Sequence, residues 1–334
     1  MARRAGVSVA TVSRVHGGSA PVANGTRRRV EAAIAELDYT PSHLGQSLAK
    51  QHHAALGIVF PDLSGPYFAE VLRGFEAEGT HHGDSVVILS THGGEAPADR
   101  LRKLAARVDG VLILGHTVPD AAIVELRASG RPVVLLARPP VTDADSVRAE
   151  NRQAAQTLAS HLLEHGHRQM AFIGDPNSSP DGAERWGGFL AAHEAAGLPV
   201  PSGPVPSSYR EQEGYAAAAA LLANRPGVTA LFCANDEIAL GAYAASQEAG
   251  LQIGLQIAIT GWDDVPVARH VSPPLTTVRQ PMHELGVRGA RALRERIASG
   301  AGRPPRAPFH EVLAARVVIR ASCGYHPDHG GIRQ

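Results

Sequence analysis

Apolar positions along the chain fall into two regimes. Over the first forty residues they recur at helical spacing in short pieces. "ARRAGVSVATVSRV" sets Gly6 between two helical patterns, and "NGTRRRVEAAIAELDY" brings Val30, Ile34 and Leu37 onto one face. Thr26 is expected to cap that helix. "TPSHLGQSLAK" puts Pro41 in a first turn with a short helix after it, leading into the polar connector "QHHAA". From Leu56 the pattern changes. Short apolar runs ("LGIVF", "SVVILS", "GVLILG", "PVVLLA", "MAFIGD", "ALFCAN", "IAITG") alternate with amphipathic segments over 67–79, 97–107, 120–129, 151–165, 183–196, 213–224, 236–250 and 282–299. This alternation predicts parallel sheets buried on both faces in doubly wound layers. Roughly 270 residues of it exceed one sheet and predict two α/β lobes. Ligands of such lobes sit beyond the carboxyl ends of the strands, often between the lobes. The last stretch, "CGYHPDHGGIRQ", reads as a disordered tail.

Composition sharpens this picture. With 334 residues, 44% hydrophobic and 19% charged, the chain reads as a soluble globular protein of two or three domains. No apolar run nears the ~18 residues of a membrane span, and no apolar h-region marks a secretory signal. Cys233 and Cys323 make no disulfide framework, so a cytoplasmic location is expected. The net charge is zero but unevenly spread. Residues 1–50 carry seven basic and three acidic side chains, or +4, and the remainder carries −4. A small basic head on a mildly acidic body points to a polyanion partner for the head.

In "GVSVATVSRV", Gly6 can supply a turn and Ser8 can cap the helix after it. Val12 and Val15 then share an inward face. Val9, Ala10, Ser13 and Arg14 lie on the other face or near the helix start. A recognition helix reads bases with its N-terminal residues, while an arginine reaches a guanine edge. Val9 and Ala10 suit a thymine methyl group, and Thr11 and Ser13 suit phosphates that set register. A small structural helical hairpin is the alternative for this motif taken alone.

The motif continues as "AGVSVATVSRV…GS..V…TR.RV..AI.ELDYTPS". After it come "PDLSGPYFAEVLRGFE", "VDGVLIL", "LLEHGHRQMAFIG", "ERWGGFLAA", "CANDEIALGA" and "GWDDVPVARHVSPPLTTVRQP". In that order, from residue 1 to about 320, the chain resembles the lactose/galactose repressor family of bacterial transcription regulators. The resemblance implies an N-terminal all-α helix-turn-helix head. A hinge helix follows, and then a two-lobe α/β effector domain like type I periplasmic sugar-binding proteins. The expected partners are a near-palindromic double-stranded DNA operator and a small-molecule effector. A homodimer is expected, with a tetramer open, and no cofactor and no membrane. The head would span 1–40, and the hinge helix and linker 41–54. The effector domain would span 55–322, with a first lobe of 55–149 plus 280–310 and a second of 150–279 plus 311–322; the tail would be 323–334. The hinge helix would run from Ser42 to Lys50, with Leu48 wedged into the minor groove at the operator centre. Gly45 stands where alanine is common in the family and makes that helix harder to order, by about 1 kcal/mol.

The departure is at the front. The family's first helix begins about four residues before Met1, a turn that carries its N-cap and an acidic residue. Met1 stands where the family usually has Val, and a GTG codon for Val can be taken for a start. The expectation is therefore a reading frame that opens a few codons upstream.

For the effector, matching positions give Tyr67, Phe68, Arg185, Asn235 and Asp263. The rings can stack on sugar C–H faces or bases. Arg185 offers a planar fork to hydroxyls or a carboxylate, Asn235 donates and accepts, and Asp263 suits vicinal hydroxyls. Asp236 is expected to cap the helix that follows it, Trp262 to pack, and Arg279 and Gln280 to serve structure at the lobe crossover. Ala137 stands where many sugar-sensing relatives place Asp. Sugar remains the expected effector class, with nucleosides and other small polar metabolites open. His161-x-x-Glu164-His165 has an inverzincin-like spacing, but Gly166 reads as a helix stop and no enzyme constellation accompanies it. No catalytic activity is expected. The rival to a regulator is a solute-binding protein with the same body, which would have no use for a basic helical head.

Overall fold

A computed structural model describes residues 1–17, 21–37, 53–61, 64–91, 96–201, 203–225, 227–299 and 307–324. The chain divides into two units, Met1–His53 and Ala54–Gln334. In the first, α1 (Ala2–Ala5), α2 (Val9–Gly17) and α3 (Asn24–Glu36) enclose a core of Ala5, Val15, Val30 and Ala33. Met1, Val7, Val12, Val22 and Ile34 pack around it. Gly6 ends α1 in the left-handed region, with φ 64°, where glycine has no Cβ penalty. Ser8 caps α2, its Oγ accepting from the Thr11 amide at 3.1 Å. Thr26 does not cap α3. The helix begins at Asn24 after Ala23, with no side-chain cap, so Thr26 already lies in its first turn. Leu37 follows the last helical residue and is half exposed, so the apolar stripe stops at Ile34. The expected hinge helix, Ser42 to Lys50 with Leu48, lies outside the described residues.

The second unit holds both lobes. The first lobe is a six-stranded parallel sheet in the order β10-β5-β4-β3-β1-β2. Its strands are β1 (Ala55–Phe60), β2 (Ser85–Ser90), β3 (Gly110–Leu114), β4 (Val133–Leu136), β5 (Asp145–Ala149) and β10 (His310–Leu313). Ile58 stands in register with Ile88 and with Leu112. On one face pack α4 (Pro66–His81) and α11 (Met282–Ala298), through Val71, Phe75, Leu285 and Leu293. On the other pack α5 (Pro97–Ala105) and α6 (Asp120–Ala128), through Leu101, Leu104, Ile123 and Leu126. Helices on both faces explain why β1, β3 and β4 are continuous apolar runs.

In the second lobe, β6 (Met170–Ile173), β7 (Ala230–Cys233) and β8 (Ala258–Thr260) form a parallel sheet. Around it lie α7 (Arg152–Glu164), α8 (Pro180–Ala195), α9 (Glu211–Asn224) and α10 (Asp236–Glu248). β9 (Thr277–Arg279) pairs antiparallel with β11 (Arg316–Val318). Cys233 is buried in the core, as its apolar setting predicts.

The alternation therefore yields the predicted α/β architecture, with each helix predicted from Leu56 onward within a few residues of its position. Four strands were not anticipated: β5, β9, β10 and β11. β5 reads as polar "DSVRA", yet Asp145 is buried because Arg296 and the Phe309 amide bond its carboxylate. β10 carries the first lobe's sheet to Leu313, beyond the expected 310. Cys323, expected to open the tail, belongs to the body instead. Ser322 and Cys323 are fully buried, and Thr276 donates its amide to Ser322 Oγ at 2.8 Å. Among the described residues no helix is long and apolar enough to cross a membrane.

Candidate effector cleft and DNA-reading surface

Packing splits α2 into two faces. Val15 is buried and Val12 partly so, while Ser8, Val9, Ala10, Ser13 and Arg14 are exposed and Thr11 is intermediate. Val9, at 77% exposure, is a large apolar side chain with no core to join. Ser8 and Thr11 also share a 2.9 Å hydroxyl contact, so the cap orders the start of α2.

In the body, a cleft of about 410 Å³ lies between the lobes at the carboxyl ends of their strands. Pro61 after β1, Thr91 after β2, Gly115 after β3 and Ala137 after β4 line it from the first lobe. Asn235 after β7, Asp263 after β8, and Asp181 and Arg185 on α8 line it from the second. Tyr67 and Phe68, in the first turn of α4, join them. The cleft thus brings together all five candidates: Tyr67, Phe68, Arg185, Asn235 and Asp263.

Arg185 is buried. Its Nε donates to Asn151 Oδ1 at 2.9 Å and its Nη1 to the Ala234 carbonyl at 2.7 Å. Its guanidinium lies 4.7 Å from the centre of the Trp262 ring, so Trp262 is both packed and a platform for the cation. Asp181, one helical turn earlier, is 3.8 Å from Nη2 and accepts from Asn151 Nδ2 at 3.0 Å. Burial pushes the Asp181 carboxyl up to about 6 despite Arg185. Burial likewise pushes Asp263 up to about 7, against the pull of Arg185 and of a hydrogen bond from Gln280 Nε2. Desolvation outweighs the attraction because two buried carboxylates share one buried guanidinium.

Four residues lining this cleft carry a buried polar atom without a partner: the Tyr67 and Tyr209 hydroxyls, Thr117 Oγ1 and Gln280 Oε1. Burial, then Asp181 and Asp263, raise the Tyr67 phenol far above its ordinary range. Tyr67 and Phe68 meet edge to face, with centroids 5.3 Å apart. Backbone strain collects at the strand ends here. Ala137 has φ 52° and Asp263 φ 116°, regions that cost a non-glycine residue of order 1–3 kcal/mol.

Asn235 is the cap that was expected of Asp236. Its Oδ1 accepts from the Ile238 amide at 2.9 Å, and its Nδ2 donates to the Tyr209 carbonyl at 3.1 Å. Asp236 is buried behind it, where it accepts from Thr277 Oγ1 and the Val265 amide. Gln280, expected to be structural, lines the cleft, whereas Arg279 pairs with Asp264 at 2.6 Å. Asp181 was missed, although its i,i+4 spacing to Arg185 on one helix face was a usable signal. Tyr209 and Glu237, which also line the cleft, gave no such signal. The His161/His165 pair lies elsewhere, with His161 Nε2 3.5 Å from Cys323 Sγ. Among the described residues no three side chains are placed to hold a metal ion.

Comparison with known proteins bears on both units. Residues 1–42 match the bacterial regulatory proteins of the lacI family, and residues 159–323 match a periplasmic binding protein-like domain. The chain is 34% identical over 307 residues to the HTH-type transcriptional repressor PurR of Edwardsiella ictaluri, covering 90% of this chain and 89% of that one. It is 33% identical over 324 residues to the PurR of Yersinia pestis, covering 95% and 94%. A lac repressor dimer bound to operator and the anti-inducer ONPF superposes with a TM-score of 0.86 at 28% identity, covering 97% and 98%. The regulator CelR in complex with cellobiose superposes with a TM-score of 0.74 at 30% identity, covering 96% and 98%. These likenesses run through both units of the chain, the small helical head and the two-lobed body. The chain belongs to the lacI family of bacterial regulatory proteins, as a DNA-binding transcriptional repressor under the control of a small-molecule effector and not an enzyme.

Proposed function

We propose that this repressor is cytoplasmic and senses a sugar held by Tyr67, Phe68, Arg185, Asn235 and Asp263. One observation carries this reading. The buried Tyr67 hydroxyl and Gln280 Oε1 lack partners in a cleft that also holds Asp263 and Arg185. Buried polar atoms are costly when unpaired, and a polyhydroxyl ligand satisfies donors and acceptors together. The complexes of CelR with cellobiose and of an Enterococcus faecium regulator with ribose support the class.

The protein acts as a homodimer on a near-palindromic operator. Val9, Ala10 and Arg14 read bases, Ser8, Thr11 and Ser13 set phosphate register, and Leu48 wedges the minor groove. The lac repressor dimer on its operator supports the dimer. Effector binding between the lobes changes operator affinity by about 5- to 150-fold, the usual range of such coupling. The test is operator binding by the full chain with and without a sugar that raises its melting temperature. Asp263→Ala should abolish the response while ligand-free DNA binding persists. An unchanged response would refute the site.

A further inference from the structure

The floor of the cleft has a sign. Asp181 and Asp263 are buried carboxylates, and only Arg185 among the buried lining residues opposes them. Two of its three nitrogens already donate to Asn151 and to the Ala234 carbonyl. Gln280 adds to the imbalance. A carboxylate only accepts, so the Gln280 amide nitrogen must face Asp263. Its Oε1 is left buried without a donor on a residue that lines the cleft. Across from it, Phe68, Leu114 and Ala137 give the first lobe an apolar patch beside the polar Thr91, His116 and Thr117.

From this, and resting on the proposed effector site, we infer that Asp181 and Gln280 determine specificity by making the floor a surface of acceptors that selects an uncharged, hydrogen-bond-donating effector and rejects a phosphorylated or carboxylated one. A phosphate or carboxylate would bring like charge and more acceptors to carboxylates that cannot be rehydrated. A hydroxyl edge would donate to Asp181, Asp263 and Gln280, with its C–H face against Phe68.

Charge-matched pairs test this on the unmodified full chain by calorimetry: glucose against glucose 6-phosphate and glucuronate, ribose against ribose 5-phosphate, and cellobiose alone. The neutral member should bind more than about tenfold tighter, since one unpaired buried contact is worth that much or more. Asp181→Asn, which preserves shape, should shrink that ratio several-fold, and Gln280→Glu should enlarge it. The inference is overturned if an anionic member binds as tightly as its partner, if no neutral saccharide binds, or if Asp181→Asn leaves the ratio unchanged. The two readings fail separately. An anion whose binding is lost in Arg185→Ala defeats the acceptor floor and spares the cleft. A sugar whose binding survives both Arg185→Ala and Asp263→Ala defeats the cleft itself.

Discussion

Asp263 concentrates the conflicts of this molecule in one residue. It is buried, sits at φ 116°, and has a carboxyl pushed up to about 7. Arg185 and Gln280 favour its charge, while burial, Glu237 and Asp181 oppose it, with Tyr67 and Asp236 also close by. An unfolded aspartate titrates near 3.9. Between those values the folded state holds the proton more tightly, so this group's contribution turns unfavourable as pH rises from about 4 to 7. Asp263→Asn should therefore gain stability relative to the parent between pH 5 and pH 8, measured as the difference in melting temperature. A difference flat with pH would mean that Asp263 is ionised throughout. A sugar donating to the carboxylate should reverse the trend for binding, with affinity rising over that range. Sequence identified Asp263, Arg185 and the aromatic pair because local motifs surround them. It missed Asp181 and Gln280 because their roles come from burial beside Asn151 and Asp263, partners 30 and 17 residues away.

Elements in the body are joined at glycines. A Cβ on Gly286 of α11 would stand 2.0 Å from the Val71 carbonyl oxygen of α4, and one on Gly74 equally close to the His283 carbonyl. Gly214 and Gly241 do the same for α9 and α10, and Gly188 for α8 against α7. Backbone faces backbone, so no rotamer change can relieve the clash. Gly286→Ala should cost about 1–3 kcal/mol, as overpacking does, read as a lowered denaturation midpoint. A midpoint equal to the parent's would show that α4 and α11 can separate freely. The helices themselves were legible because each carries a long amphipathic stripe. The strands β5, β9, β10 and β11 were not. β9 and β11 have three residues each, β10 four at a sheet edge, and β5 is apolar only in part.

At the scale of the whole molecule, the two lobes meet across the cleft mouth. Gly65, before α4 in the first lobe, has φ 86°, and a Cβ there would stand 2.7 Å from Glu237 Oε2 on α10 of the second. Gly65→Ala should displace the Glu237 carboxylate and strain the left-handed backbone at the cleft mouth without touching the floor. We expect a several-fold rise in effector Kd with the Arg185 and Asp263 contacts intact, measured by calorimetry with the saccharide of the panel above that binds the parent chain. An unchanged Kd would show that closure does not need this approach.

Sequence by itself determined the helix-turn-helix head, the two α/β lobes and the residues at the strand ends, because periodicity, turn glycines and caps are local properties of the chain. Tertiary structure alone decided the rest. It made Asn235 the helix cap in place of Asp236, and Gln280 a wall of the cleft. It also set two buried carboxylates against one guanidinium. Which polar groups are desolvated together depends on what distant segments bring to the same place, and no short stretch of sequence carries that.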